Sequence, residues 1–92
     1  MGARDKDRSR TWCFTINHYS SETGDDLDTV IEKLTEAGSV HMVIGKEIGY
    51  SGTPHLQGFV RFKNQKQFSS MKKLLPRAHI ESCISEINSI VY

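Results

Sequence analysis

The sequence predicts an α+β fold of the split-βαβ type, in which two helices cover one face of an antiparallel sheet. Two observations lead to this prediction. The apolar residues alternate with a period of two in some segments and recur with a helical period of about 3.6 in others. Turn residues separate these segments in the order β-α-β-β-α-β, followed by a terminal helix. The second face of the sheet is then left uncovered.

Length and composition limit the class of protein. The chain has 92 residues, 12 basic and 11 acidic side chains, and two cysteines. It therefore suits a single small domain and not a disulfide framework or a four-cysteine zinc site. No apolar run approaches the roughly 18–20 residues of a membrane helix, and the charged start lacks the apolar stretch of a secretory signal. We expect a basic flexible arm at residues 1–9 and one domain at residues 10–92, inside a cell and without a membrane partner.

The first half of the chain contains a strand and the clearest helix. Residues 10–17 alternate large apolar with smaller side chains, which is typical of a half-buried strand. Residues 25–37 carry one apolar stripe at helical spacing, consisting of Leu27, Val30, Ile31, Leu34 and Ala37. Acidic residues in the first turn and Gly38 after the last turn agree with helix ends.

The second half predicts a hairpin, a short helix and a last strand. Residues 39–48 and 54–63 alternate as strands around a turn that is rich in glycine. Val40, Met42 and Ile44 share one predicted face of the first of these strands. Residues 65–75 have helical spacing up to Pro76, and residues 77–83 are short and extended. Ser85 is a good N-cap for a terminal helix with Ile87, Ile90 and Val91 on its apolar side.

A possible metal site follows from the hairpin. His55 and Gln57 are two residues apart in a strand, so their side chains point the same way. Glu47 lies just before the turn on the neighbouring strand and shares their face. One imidazole, one amide oxygen and one carboxylate suit Mg²⁺ or Mn²⁺ better than a structural zinc ion. A polar strand facing solvent would show the same residues, so both interpretations remain open at this point.

Tyr92 falls on the polar side of the predicted terminal helix, away from Ile87, Ile90 and Val91. A tyrosine hydroxyl can attack phosphorus, and a nearby metal can polarise the phosphate. An ordinary surface tyrosine would occupy the same position.

Three segments together resemble a known family. The segments FTIN at residues 14–17, TPHLQGFVRF at residues 53–62 and AHIE at residues 78–81 are similar to the replication initiator (Rep) proteins of small circular single-stranded DNA viruses. The likeness to circovirus and nanovirus Reps is closest, and their N-terminal domain is a tyrosine HUH endonuclease. The resemblance covers residues 10–92 and implies the same split-βαβ sheet.

The resemblance assigns roles to individual residues. His55 and Gln57 match the metal ligands of the second family motif, Glu47 matches the acidic ligand, and Tyr92 falls near the spacing of the nucleophile. Thr15 and Asn17 belong to the first motif, which helps to shape the DNA site. The implied function is metal-dependent nicking and joining of single-stranded DNA in the hairpin loop of a viral origin, through a covalent 5′-phosphotyrosine. The host nucleus and self-association of the full-length protein belong to the same expectation.

The sequence departs from the family pattern in three ways. The lysine expected three residues after Tyr92 is not in the sequence. HYSS follows Asn17 where circoviruses commonly have Asn-Pro, so no genus is assigned. No GxxxxGK[ST] phosphate loop occurs in these residues, so the family's ATPase/helicase domain is not among them.

Charge indicates how DNA would be held. Residues 18–50 are mainly acidic and residues 51–82 mainly basic, although the net charge is only +1. Arg61, Lys63, Lys72 and Lys73 are expected to contact phosphates. Phe59 is expected to pack against the terminal helix, with stacking on a base as the alternative. The competing function is a single-stranded nucleic-acid-binding module without catalysis, because RNA-recognition domains use the same element order.

Overall fold

The computed structural model describes residues 8–49 and 51–82. These residues form strand β1 (Arg8–Asn17), helix α1 (Leu27–Glu36), strands β2 (Ser39–Ile48) and β3 (Pro54–Gln67), helix α2 (Phe68–Leu74) and strand β4 (His79–Ser82). The strands form a four-stranded sheet in the order β2-β3-β1-β4, and every pair is antiparallel. The predicted α+β fold is confirmed. The predicted terminal helix with Tyr92 lies outside the described residues.

The core lies between the two helices and one face of the sheet. Trp12, Phe14 and Ile16 of β1 point into it, as their alternation predicts, and each is at most 2% exposed. The residues that complete this core are Val30, Leu34, Leu56, Val60, Phe62, Met71, Leu75, Ala78 and Ile80. Since both helices contribute to this one cluster, the opposite face of the sheet carries no helix in the described part of the chain. Neither helix is long and apolar enough to cross a bilayer.

Strands β1 and β3 are longer than the sequence predicts. β1 begins at Arg8, so Arg8 and Ser9 belong to the sheet and not to the predicted arm. Their partners are Gln67 and Lys66, which places residues 65–67 in β3 instead of the predicted second helix. The two extensions pair with each other across the sheet, and neither shows a clear alternation in its own sequence. These residues are therefore recognised as parts of strands only from the pairing between them.

A register shift near the start of β1 accompanies a buried serine. The pairing with β3 shifts between Ser9 and Thr11. The Ser9 hydroxyl donates to the Thr11 carbonyl at 2.8 Å and accepts from the Thr11 amide at 3.0 Å. The Trp12 indole N–H donates to the Ser9 carbonyl at 2.9 Å. These bonds satisfy the polar groups that burial removes from water.

Other predicted boundaries and positions also need correction. α1 is shorter than predicted, because Asp26 is its N-cap and accepts from the Thr29 amide and hydroxyl. β4 begins at His79, two residues later than predicted. Ile31, predicted to be buried, is 38% exposed at the edge of the apolar stripe of α1. Val40 is 59% exposed because a second register shift, between Ser39 and His41, turns it out of the core.

Gly58 allows the Phe14 ring to lie close to the backbone of β3. It pairs directly with Phe14, and a Cβ atom at Gly58 would lie 2.8 Å from Cε2 and 2.9 Å from Cε1 of that ring. We expect Gly58→Ala to destabilise the fold by about 1–3 kcal/mol, because the ring is enclosed and must shift. Urea unfolding measures this change.

Gly45→Ala is the matched control, since a Cβ atom at Gly45 meets no atom within 4 Å. Adding Phe14→Leu to Gly58→Ala should recover part of the loss, because it removes the atoms that collide. Equal stability of the two alanine variants would contradict the close approach.

Candidate functional site

The open face is the side of the sheet opposite the helices. Directly paired residues of antiparallel strands share a face, and Thr15 pairs with Gln57 while Glu47 pairs with His55. The open face therefore carries the side chains of Cys13, Thr15, Asn17, His41, Val43, Glu47, His55, Gln57, Phe59, Arg61, His79 and Glu81. Six of the nine candidate site residues in the described part of the chain lie here, namely Thr15, Asn17, Glu47, His55, Gln57 and Arg61.

The structure brings Glu47 and His55 into contact. The His55 Nε2 atom lies 3.3 Å from Glu47 Oε1, and the imidazole is 17% exposed while the carboxylate is 55% exposed. The turn between β2 and β3 holds this pair, because the Gly49 amide donates to the Thr53 carbonyl at 2.7 Å. Gly52 closes the turn with a φ of 89°, which glycine adopts without strain.

Gln57 lies next to this pair on the same face. It is two residues along β3 from His55, and its partner on β2 is Gly45, which has no side chain to occupy the space. The three expected ligands thus share one end of the open face. Among the described residues, His, Cys, Asp and Glu alone do not form a group of three that could hold a metal ion. A cation at this place would therefore depend on the Gln57 amide oxygen.

The donor set fits a hard divalent cation. It consists of one imidazole nitrogen, one carboxylate and one amide oxygen, which suits Mg²⁺ or Mn²⁺. The contact between Nε2 and Oε1 shows that the two stronger donors already face each other. The role of these residues as ligands stays a prediction.

Thr15 and Asn17 adjoin the metal-site residues on β1. Thr15 is half-buried between Gln57 of β3 and His79 of β4, and Asn17 is exposed opposite His55. The chain leaves the sheet directly after Asn17, where His18 takes a φ of 54° and donates its amide to the Pro54 carbonyl at 2.9 Å. The first-motif residues are thereby held beside the end of the hairpin.

The predicted phosphate-binding cations are divided between two sides of the molecule. Arg61 is exposed on the open face between Thr11 and His41, and Lys63 is exposed farther along β3. Lys72 and Lys73 lie on α2, on the helix side of the sheet. The Lys72 ammonium donates to the Ala78 carbonyl at 2.6 Å and to the Pro76 carbonyl at 3.2 Å. The structure therefore does not place these two lysines on the open face. The sequence could not show this, because charge density along a chain does not specify a side of the sheet.

The central cavity is a depression of about 420 Å³ in the middle of the open face. Its lining residues are Cys13, Phe14, Thr15, Val43, Gln57, Gly58, Phe59, His79 and Glu81. The Phe59 ring is half-buried and meets the His41 ring edge-on, with 6.1 Å between centroids. The terminal helix that Phe59 was expected to pack against lies outside the described residues, so that expectation stays a prediction.

His79 and Glu81 are not among the site residues that the sequence predicts. Both lie on the open face of β4, and His79 Nε2 is 3.0 Å from Glu81 Oε2. Their spacing of two residues in an extended segment is the signal that would have placed them together. Tyr92, the expected nucleophile, lies outside the described residues.

Comparison with known proteins shows the family of the chain. Residues 9–89 match the family model described as "Putative viral replication protein". The chain belongs to this family of viral Rep proteins. It is 42% identical over 84 residues to the replication-associated protein of Beak and feather disease virus, a match that covers 88% of this chain and 27% of that protein. The resemblance to Reps of circular single-stranded DNA viruses is confirmed.

Other relatives come from circoviruses and from plant viruses. The replication-associated protein of Canary circovirus is 45% identical over 74 residues, covering 79% of this chain and 24% of that protein. The master replication protein of Milk vetch dwarf virus is 33% identical over 70 residues, covering 76% of this chain and 21% of that protein. The chain thus spans about a quarter of the length of the curated relatives that it matches.

In this Rep family member, an ion pair between the buried Asp25 and the exposed Arg77 anchors the end of β1. Arg77 bonds to Asp25 through Nη1, and its Nη2 donates to the Asn17 carbonyl at 2.9 Å. The Asp25 carboxylate, whose side chain is 8% exposed, also accepts from the Thr23 hydroxyl and the Ser20 amide. The sequence suggests that Asp25 lies in the first turn of α1 and interacts with the helix dipole. The structure instead places Asp25 before the N-cap, where it pairs with Arg77. It ties the loop after β1 to the segment before β4.

These contacts change the acidity of Asp25. Burial by itself raises the pKa of the Asp25 carboxyl, but the hydrogen bonds from Thr23, Ser20 and Arg77 and the Arg77 charge outweigh it and lower the pKa below 3.8. The unfolded chain therefore binds a proton more readily than the folded one. This contribution to stability is complete above the unfolded pKa and is lost as the pH falls through the folded pKa.

We expect Asp25→Asn to lower the free energy of unfolding at neutral pH by about 1–3 kcal/mol, because the Arg77 guanidinium loses its charged acceptor. The loss of stability below about pH 4 should also be less steep than in the wild type. Urea unfolding at a series of pH values measures both effects. Asp28→Asn, an exposed change in α1, is the control and should stay within about 0.5 kcal/mol. An unchanged acid profile in Asp25→Asn would contradict the assigned role.

Proposed function

We propose that this chain is the nicking and joining domain of a replication initiator, acting on single-stranded DNA at a viral origin. The observation that carries the proposal is the contact of Glu47 with His55 beside Gln57, on the open face of a sheet whose sequence matches the viral Rep family. The origin hairpin loop as substrate, the host nucleus as the place of action and self-association of a longer protein belong to the same proposal. They rest on family membership.

Glu47, His55 and Gln57 would hold Mg²⁺ or Mn²⁺. When bound, such a cation supplies a Lewis acid that draws electron density from a phosphate oxygen. The Glu47 carboxylate contributes the negative charge of the site, and its 3.3 Å contact turns the His55 nitrogen toward the same point. The open position opposite Gly45 lets the Gln57 amide turn toward that point as well.

The covalent step is assigned to Tyr92. Its phenolic oxygen attacks the scissile phosphorus and loses its proton, while the bond from phosphorus to the 3′ oxygen breaks. The leaving oxygen takes up a proton and becomes a free 3′-hydroxyl. The 5′ side stays attached as a phosphotyrosine. Attack by a 3′-hydroxyl on this linkage reverses the step, joins the DNA and releases the tyrosine.

Arg61 and Lys63 would hold the DNA backbone along β3. Both are exposed and follow the metal-site residues on the same strand. Their charge neutralises phosphates, so binding should weaken as the salt concentration rises. Thr15 and Asn17 adjoin the proposed metal site on β1 and supply polar groups to the DNA. Lys72 and Lys73 lie on α2, on the helix side of the sheet. They would contact only DNA that continues from the open face around to that side.

Metal binding is expected in the isolated chain. His55→Ala and Gln57→Ala should each weaken Mn²⁺ binding by at least about tenfold, because each removes a donor from a small ligand set. Electron paramagnetic resonance of unbound Mn²⁺ measures the affinity. His41→Ala removes an imidazole from the same face outside the proposed ligand set, and should bind like the wild type. Equal loss in all three variants would argue against the assigned ligands.

A covalent adduct separates the proposed enzyme from a binding module. With Mn²⁺ and single-stranded DNA that carries candidate origin loops, the wild type should give a slower protein band on a denaturing gel. Tyr92→Phe should remove this band because the phenyl ring has no attacking oxygen, and a chelator should remove it as well. Tyr19→Phe is the control. A longer chain that includes the third-motif lysine should be tested in parallel, and DNA binding without an adduct in either chain would favour the module without catalysis.

A further inference from the structure

Arg77 lies in the short segment between α2 and β4 and contacts the last residue of β1. Its Nη2 atom donates to the Asn17 carbonyl at 2.9 Å, while its Nη1 atom bonds to the Asp25 carboxylate. The planar guanidinium thus makes two directed contacts at once, which the single ammonium of a lysine does not reproduce. The backbone at the end of β1 is therefore held by a side chain that lies 60 residues away in the sequence.

The backbone around Arg77 is itself held on both sides. The Lys72 ammonium donates to the Pro76 carbonyl at 3.2 Å and to the Ala78 carbonyl at 2.6 Å, which belong to the residues directly before and after Arg77. The Asp25 carboxylate accepts two further hydrogen bonds from the loop after β1. Arg77 therefore starts from a fixed backbone position and meets a fixed carboxylate.

The contact at Asn17 continues into the proposed metal site. Asn17 pairs with His55 across β1 and β3, and Glu47 pairs with His55 from the other side. The next amide, that of His18, donates at 2.9 Å to the carbonyl of Pro54, the residue directly before His55. A displacement at Asn17 is thus passed through paired backbone to the residue that carries the imidazole.

The backbone of His18 shows that this place depends on its neighbours. Its φ of 54° lies in the left-handed region, which residues other than glycine seldom adopt. Such a conformation is strained and persists where the surrounding contacts hold it. The bond from the His18 amide and the bond from Arg77 to the preceding carbonyl are contacts of this kind. Loss of the Arg77 bond should therefore let the end of β1 relax.

We propose that Arg77 is a positioning residue for the proposed metal site and that it acts through Asn17 on His55. This inference rests on the proposed function. In this role Arg77 contacts no reacting atom. It fixes the last residue of β1, and the paired backbone of β3 follows that position. The His55 imidazole is thereby held 3.3 Å from the Glu47 carboxylate, with Nε2 and Oε1 facing each other.

The test separates the bond to Asn17 from the ion pair with Asp25. Arg77→Met alone would leave the Asp25 carboxylate buried without a cation, which can prevent folding. The comparison is therefore between Asp25→Asn, which keeps Arg77 and offers it an amide oxygen, and the double variant Asp25→Asn with Arg77→Met, which leaves no buried charge. Phe62→Leu is the control. It destabilises the core seven residues along β3 from His55.

Each variant is measured without metal and then with Mn²⁺, at a temperature where it is folded. Without metal, amide hydrogen exchange at His18 should be at least about tenfold faster in the double variant than in Asp25→Asn, because local opening no longer breaks the Arg77 bond. The nuclear magnetic resonance signals of the His55 ring should also shift. With Mn²⁺, the double variant should bind about tenfold more weakly, at the lower end of the loss usual for groups that orient metal ligands. Phe62→Leu should match the wild type in all three measurements.

The outcomes distinguish this role from general stability and from the proposed function. Equal His18 exchange in Asp25→Asn and the double variant overturns the positioning role and leaves the proposed nicking function intact. Faster His18 exchange with equal Mn²⁺ affinity overturns it as well, because the end of β1 then moves without affecting the site. An equal loss of Mn²⁺ affinity in Phe62→Leu assigns the effect to stability and also overturns it. If the wild type binds no Mn²⁺, the proposed metal site fails, and unchanged His55 signals in the double variant overturn the positioning role separately.

Discussion

The register of β3 between β1 and β2 determines both the core and the open face. Successive residues of β3 point to opposite sides, so Leu56, Val60 and Phe62 enter the core while His55, Gln57 and Phe59 face outward. A slip by one residue would exchange these sets, exposing the core and burying the polar side chains. Phe14 opposite Gly58 works against such a slip, because no larger residue fits beneath that ring. The packing that stabilises the fold thus also aligns the proposed site.

Both helices pack on the other face of the sheet, so the described residues leave the open face without a helix. α1 contributes Val30 and Leu34, and α2 contributes Met71, to the same apolar cluster. The Lys72 ammonium is engaged by the carbonyls before β4, and the Lys66 ammonium lies 5.3 Å from the Phe62 ring centroid. Part of the basic charge in the second half of the chain therefore supports the fold. Arg61 and Lys63 are exposed on β3, the strand that also carries His55 and Gln57.

The open face is organised along its strands. The Glu47–His55 contact lies at the hairpin end, the central cavity lies next to it, and Arg61 follows beyond Phe59. Glu47 and Glu81 thus place negative charge on β2 and β4, and Arg61 places positive charge farther along β3. The Asp25–Arg77 pair supports this arrangement, because Arg77 also donates a hydrogen bond to the Asn17 carbonyl at the end of β1.

The amino-acid sequence alone predicts the fold class, the element order and the shared face of Glu47, His55 and Gln57, since alternation and turn chemistry are local properties. It also carried the family motifs. Tertiary contacts set the paired extensions of β1 and β3, the exposure of Val40 at a bulge and the side of the sheet on which Lys72 and Lys73 lie. They also give Asp25 its distant partner and join β1, β3 and β4 around the central cavity. These features depend on contacts between residues far apart in the chain, and hydropathy periods carry no information about such contacts.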